Sequence, residues 1–454
     1  MQRELRMGNK MGRKYQSLGT RVMLAVIGAL FFRVALDFAY VNYVDKFFHE
    51  SLSAGVFTFT EISTFRLLES YVIALTLSIW LAVSLYGRWR PSGIALLLYF
   101  VIVILPLSSL YGLTDASRAF FYAAAGSFAV LILVTELIPR IRLPRPNLSM
   151  VYLALTAIVG ICFYVYSGLI LGGGLGRLNF NLLSVYEVRE KYVQSMAPFL
   201  GYFVPWQANV INIFILCYGL HKRNLWLLGI ASIAQLLLFG MTGHKSFFLS
   251  PILAVGVYFI WRRRNTLFHI FSGASVLVLF SFVLFLATNN HLPPSLLIRR
   301  LFFVPAANHL IYYDFFSRPE NRFVMLSNSV LAPFVHYPYD APIPTILARA
   351  YWGIDFWPNV GYLGDAFAQF GFVGMFLFSM ILGLFLRFVD SVGTRLPANL
   401  VAAMFATPAM ALTNSPLFTS LLTHGLIFTL VTLWLLRGVC KPAHSKSAET
   451  SQGG

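Results

Sequence analysis

Twelve of the 34 basic residues fall in or beside the polar segments expected on the outer side of a very apolar chain: Lys46, Arg66, Arg118, Arg177, Arg189, Lys191, Lys245, Arg299, Arg300, Arg318, Arg322 and Arg349. Nine of them are arginine, and that choice carries chemistry. A guanidinium is a rigid fork that grips two phosphate oxygens at once, which an ammonium cannot do. Two of the arginines open the same string. Arg189 is followed by Pro198, Gly201 and Tyr202, and Arg349 by Pro358, Gly361 and Tyr362, both reading R-x8-P-x2-G-Y. Two such loop-to-helix elements, each offering one arginine to a shared cavity, would suit two phosphate-linked ligands; chance alignment is the plain alternative. Lys245 lies in Gly243-His244-Lys245-Ser246, where a lysine at a turn either holds a phosphate or snorkels to an interface.

His309 is a candidate general base, because a histidine titrates close to neutral pH; a histidine hydrogen-bonded at an interface is the plain alternative. Tyr312 and Tyr313 follow at three and four residues, on the same helical face. Glu187, Glu190, Asp314 and Asp365 compete for the role, and spacing does not choose among them. Other chemistries find no support. Gly172-Gly-Gly-Leu-Gly176 lacks the Lys-Ser/Thr of a nucleotide loop and reads as a flexible helix exit. No G-x-S-x-G elbow occurs, and no His, Cys or carboxylate cluster has metal-ligand spacing. The three cysteines, Cys162, Cys217 and Cys440, form neither a zinc nor a C-x-x-C pattern, and no disulfide is expected. No cofactor and no metal are called for.

The elements that must position these groups are membrane helices. Of 454 residues, 58% are apolar and only 11% charged, with mean hydropathy +0.72. No soluble surface could hide so much apolar area, and disorder requires the opposite composition. A spanning helix needs about 20 mostly apolar residues. Twelve stretches qualify, at 21–43, 65–87, 92–112, 118–138, 149–171, 196–220, 224–241, 245–261, 266–287, 365–388, 397–415 and 418–436. The seventh and eighth are the shortest and could form one hairpin that stops below the surface. The net charge of +17 tests the topology. With the N-terminus inside, the inner ends collect 21 basic and four acidic residues, so the whole imbalance lies on the cytoplasmic side. It is an orientation signal and argues for no nucleic-acid partner.

The expected organisation is a cytoplasmic tail at 1–20, then helices one to nine over 21–287, with an outer loop at 172–195. A large outer loop follows at 288–364, then helices ten to twelve over 365–436, and a disordered cytoplasmic tail at 437–454. The large loop is rich in aromatics and holds two amphipathic segments, around 293–305 and 306–316, expected to lie at the interface. Arg33 and Asp37, four apart in the first helix, are expected to pair structurally.

Several local strings resemble the Wzy-type O-antigen polymerases, or oligosaccharide repeat unit polymerases. They are Gly243-His-Lys-Ser-Phe-Phe248, Arg300-Leu-Phe-Phe-Val-Pro-Ala306, Asn359-Val-Gly-Tyr-Leu-Gly-Asp365, and residues 366–374 with their Phe-Gly-x-x-Gly ending. The helix count, the internal termini and the two arginine-bearing outer loops fit as well. The resemblance implies an all-α polytopic protein with a GT-C-like fold in the bacterial inner (cytoplasmic) membrane. It implies a metal-independent glycosyltransferase of lipopolysaccharide biosynthesis at the periplasmic face. A growing glycan would pass from undecaprenyl diphosphate to the sugar hydroxyl of an incoming lipid-linked repeat unit. Arg189, Arg299, Arg300 and Arg349 would hold diphosphates, supported by Arg177 and Lys245, with Tyr313, Asn359 and Asp365 lining the site and His309 as base. Membrane lipids, a polysaccharide co-polymerase that sets chain length and a flippase are the implied partners. An O-antigen ligase is the nearest rival, but its His-Asn-x-x-Leu string is absent; Asn308-His309-Leu310 runs in the reverse order. A lipid-linked oligosaccharide flippase would favour paired repeats and interrupted midplane helices.

Overall fold

The computed structural model describes residues 2–59, 63–87, 90–181, 185–261, 263, 265–329, 331–394 and 396–439. Among them no sheet forms; Phe59 and Thr114 make an isolated bridge. Fifteen helices among the described residues carry the fold, and a π-helical segment at Ser295–Phe303 leads into the eleventh. They are α1 (Leu18–Ser53), α2 (Thr64–Tyr86), α3 (Gly93–Leu113), α4 (Arg118–Leu137) and α5 (Leu148–Leu171), then α6 (Val185–Gln194), α7 (Leu200–Lys222), α8 (Leu225–Thr242), α9 (Lys245–Ile260) and α10 (Thr266–Thr288). The remainder are α11 (Val304–Ser317), α12 (Ile343–Trp352), α13 (Tyr362–Gly393), α14 (Ala398–Thr413) and α15 (Leu417–Gly438).

Each of the twelve expected apolar stretches is a helix, and ten are long enough to cross a membrane. The other two, α9 and α14, are shorter apolar helices. At 16 residues, α9 reaches about 24 Å, short of a hydrocarbon core of about 30 Å. It starts beneath a covering helix and contains Pro251, while α14 ends in a turn at Asn414 and Ser415. The shorter partner in the α8–α9 hairpin is thus the second. Most of the expected terminal tail, 440–454, lies outside the described residues.

Lipid is as apolar as leucine, so helices associate here through close packing and polar contacts. The central helix α3 is buried throughout except at the half-buried Leu98, and α1, α2, α4, α10, α11, α13 and α14 pack around it in one large apolar core. A second, smaller core joins α5, α6, α7, α8 and the start of α9 through Leu169, Tyr192, Leu200, Leu238, Phe239 and Phe247. Arg33 is wholly buried in the large core. It pairs with Asp37, donates to Ser70 and Ser108, and its guanidinium lies over the Tyr71 ring. That is the structural role expected of it.

The links between helices gather at two ends. At the end nearest the chain termini, the Ser92 backbone N–H and hydroxyl both donate to Asp390, at 2.9 Å each, and Trp434 donates to the Pro144 carbonyl. At the opposite end, here the loop end, Thr58 joins Asp115, and Trp352 donates to the Ser51 carbonyl.

Three loop-end expectations are corrected. The first helix continues through a π-type turn at Tyr40–Val44 to Ser53, so residues 44–53 are not loop. Residues 172–176 are not a flexible exit: Gly172, Gly173 and Gly174 N–H groups bond back to Gly168, Ile170 and Leu169. And α11 is no interfacial helix. Residues 305–312 are all buried, because apolar side chains on every face leave no wet stripe, and α11 packs between α3 and α13.

The helix α13 is broken. Phe370 and Gly371 leave helical geometry, with Gly371 at φ +60° and ψ −148°, a conformation open to glycine. The freed carbonyls are met by the loop at 324–326: the Val324 N–H donates to Ala368, the Met325 N–H to Gln369, and the Leu326 N–H to the Gln369 side chain at 2.6 Å. Non-helical backbone within a membrane protein persists only where other protein groups satisfy it in this way.

Candidate functional site at the loop end

The tip of the α8–α9 hairpin is built by Gly243, at φ +68°. A Cβ there would lie 2.5 Å from the Val185 carbonyl oxygen and 3.1 Å from the Arg189 nitrogen, so α6 rests directly on the tip. This close approach brings Arg189 and Tyr192 of α6 to His244 and Lys245. The His244 ring stacks on Phe247, with centroids 4.9 Å apart, and meets the Tyr192 ring edge-on at 5.7 Å. His424, in the break of α15 between Leu417–Leu422 and Leu426–Val439, completes the group, with its Nε2 3.1 Å from the Ser415 hydroxyl. Burial, the charge of Arg189 and the nearness of His424 push the His244 imidazole down to about 4.

Arg189 is exposed and has no ion-pair partner among the described residues. Arg177 has a different task. Its Nε donates to the Met241 carbonyl at 2.9 Å, and its Nη1 to the Gly172 and Lys191 carbonyls and the Ser195 hydroxyl, the last at 2.6 Å. It pins the loop after α5 to the end of α8 and the C-terminal turn of α6. Lys245 opens α9 and is partly exposed.

The remaining expected residues lie on other elements. Arg299 stacks over Phe48 and donates to Ser51 and Ser295, both at 3.3 Å, beside the exposed Arg300. These two flank the end of α1. Burial and the charge of Arg300 lower the Arg299 value. Arg349, in the last turn of α12, makes a two-pronged pair with Asp355, Nε to Oδ1 at 2.6 Å and Nη2 to Oδ2 at 3.0 Å. Asp355 is held below the usual carboxylate range by that arginine. Tyr313 packs among Phe120, Phe367 and Phe372. Asn359 is exposed, and its backbone carbonyl accepts from the Asn308 amide at 2.7 Å. Asp365 is buried in the first turn of α13, accepting from Gln369 at 3.1 Å.

His309 is enclosed. It has no exposed surface; its Nδ1 donates to the Pro305 carbonyl at 2.6 Å, and its Nε2 meets the Tyr99 hydroxyl at 3.2 Å. Burial pushes the imidazole down to about 4. With both nitrogens engaged, the ring ties α11 to α3 and offers no open face for a proton. Of the competing bases, Asp314 is shared by Arg318 and Tyr351, while Glu187 and Glu190 stay exposed on α6. Sequence reasoning picked out Gly243–Lys245 as a turn but not its neighbours Tyr192, Ser415 and His424. Those three are remote in the chain, and no spacing links them. Compared with family models, curated proteins and solved structures, the chain matches none.

Proposed function

We propose that the protein is a polysaccharide repeat unit polymerase. It transfers a growing glycan from a polyprenyl diphosphate to a sugar hydroxyl of a second lipid-linked repeat, at the periplasmic face of the bacterial inner membrane. The observation that carries this reading is Arg189. It is an exposed forked cation with no carboxylate partner among the described residues, and its backbone rests on the α8–α9 tip that carries His244 and Lys245. A leaving diphosphate gains negative charge in the transition state, and preorganised cations stabilise it without reorganising. A site at the membrane margin lets the prenyl tails stay in lipid while the sugars meet above it, which supplies orientation. Arg299 and Arg300, beside the end of α1, are the second anion-binding station in this scheme, and Arg349 joins when an anion displaces Asp355. A co-polymerase and a flippase are the partners such an enzyme needs.

The broken α13 favours a second reading, a transporter of lipid-linked oligosaccharide, since interrupted helices are common at transport sites. One experiment separates the two. The purified protein is given lipid-linked repeat in detergent, where there is no second side to flip to. Growth of oligomers on a ladder gel supports the polymerase; unchanged repeat with an intact protein overturns it.

A further inference from the structure

The α8–α9 tip holds a histidine in the arrangement of a working base. The His244 Nδ1 lies 3.1 Å from the Thr242 carbonyl oxygen. A carbonyl only accepts, so Nδ1 carries the proton and the lone pair sits on Nε2. Nε2 has no hydrogen-bond partner among the described residues, and the residue is partly exposed. Stacking on Phe247 and the edge of Tyr192 fix the ring plane. The residue stands at the N-cap position of α9, and the charge of Arg189, the cation assigned above to the diphosphate, reaches its ring. His309 shows the opposite geometry, enclosed and with both nitrogens in use.

Building on the polymerase reading, we infer that His244 is the general base, its Nε2 taking the proton of the acceptor sugar hydroxyl. The acceptor oxygen forms a bond to the anomeric carbon of the donor glycan as the bond from that carbon to the diphosphate oxygen breaks. The bonding pair leaves with the diphosphate, towards Arg189, and the proton on His244 passes to water. The groups that face the ring are Arg189 and Tyr192 from α6, the Thr242 carbonyl from α8 and His424 from α15. Burial and the charge of Arg189 push the imidazole down to about 4, so the base form is present throughout the neutral range. The acid limb of kcat/KM reports the free enzyme and is expected well below the ordinary imidazole value.

Two measurements test this on the full-length protein in detergent. Diethyl pyrocarbonate, which acylates a free neutral imidazole nitrogen, is expected to label His244 at least about tenfold faster than His309 at pH 7, read by peptide mass spectrometry. Next, turnover is followed with polyprenyl-diphosphate-linked repeat extracted from the cells that make the protein. His244→Ala is expected to lower kcat by about 10²–10⁴-fold with KM little changed, to lose the acid limb, and to be partly rescued by added imidazole. Labelling of His244 no faster than His309, turnover of His244→Ala within about threefold of the parent, or a loss that imidazole does not relieve each overturns the base assignment. A parent protein that extends no glycan overturns the polymerase reading itself, and this inference with it; the labelling result then still reports the geometry.

Discussion

Residues 189–202 and 349–362 carry the same R-x8-P-x2-G-Y string and have opposite electrostatic fates. Each leads into a helix of the bundle, α7 and α13. The deciding position is six residues after the arginine. There the second segment has Asp355, which takes both prongs of Arg349. The first has Ser195, whose hydroxyl is already engaged by Arg177. One arginine is neutralised within its own loop; the other keeps its charge and lies against a neighbouring hairpin. A shared spacing therefore places two arginines alike along the chain without giving them the same capacity for an anion.

The largest effect expected from this contrast is on turnover. Arg189→Ala should reduce glycan extension by about 10²–10³-fold, the usual loss when one preorganised donor to a developing anion is removed. Its melting temperature should not change, because no ion pair is lost. Arg349→Ala should cost less than about tenfold, since its guanidinium must first give up Asp355. Ladder gels and initial rates on both variants check the ranking, and equal losses would break the comparison.

A second contrast lies within one loop. Arg177→Ala should lower stability by about 1–3 kcal/mol for each buried acceptor left without a donor, seen as an earlier thermal transition. Activity should fall in step with that transition, unlike in Arg189→Ala. A drop in rate with an unchanged transition would return Arg177 to substrate binding. Gly243→Ala should come next, at about 1–3 kcal/mol, because a positive φ and the Val185 carbonyl both oppose a Cβ.

These contrasts also explain what could be read from the residues alone. Length and hydropathy located every helix long enough to cross a membrane, since a membrane demands long apolar runs and few sequences supply them by accident. Periodicity failed where the answer depended on a remote backbone atom. Arg177 looked like a free cation because its acceptors, Met241 and Lys191, are carbonyls and leave no trace in the sequence. His309 looked accessible because helical spacing shows which residues share a face, not that α3 and α13 cover it. The break at Phe370 and Gly371 was visible as a Phe-Gly-x-x-Gly string, but its meaning required the loop at 324–326 that repairs it. His424 could not be joined to His244 at all, lying 180 positions away.

The smallest effect is the one that isolates the acid at the sixth position. Asp355→Ala frees Arg349 while leaving the helix that carries it intact. Both partners are largely exposed, so the pair stabilises little and the thermal transition should barely move. The folded value of Asp355 is depressed. Its small contribution is therefore present above the ordinary carboxylate range and is lost as pH falls through that depressed value. What should change is affinity: a freed guanidinium binds an anion without first losing a partner, so KM for lipid-linked repeat should fall by about two- to threefold, with kcat unchanged. Acidifying the parent protein should approach the same state as the carboxylate protonates. If Asp355→Ala leaves KM where it was, the pairing does not restrain Arg349, and the difference between the two strings must be sought in where their helices point.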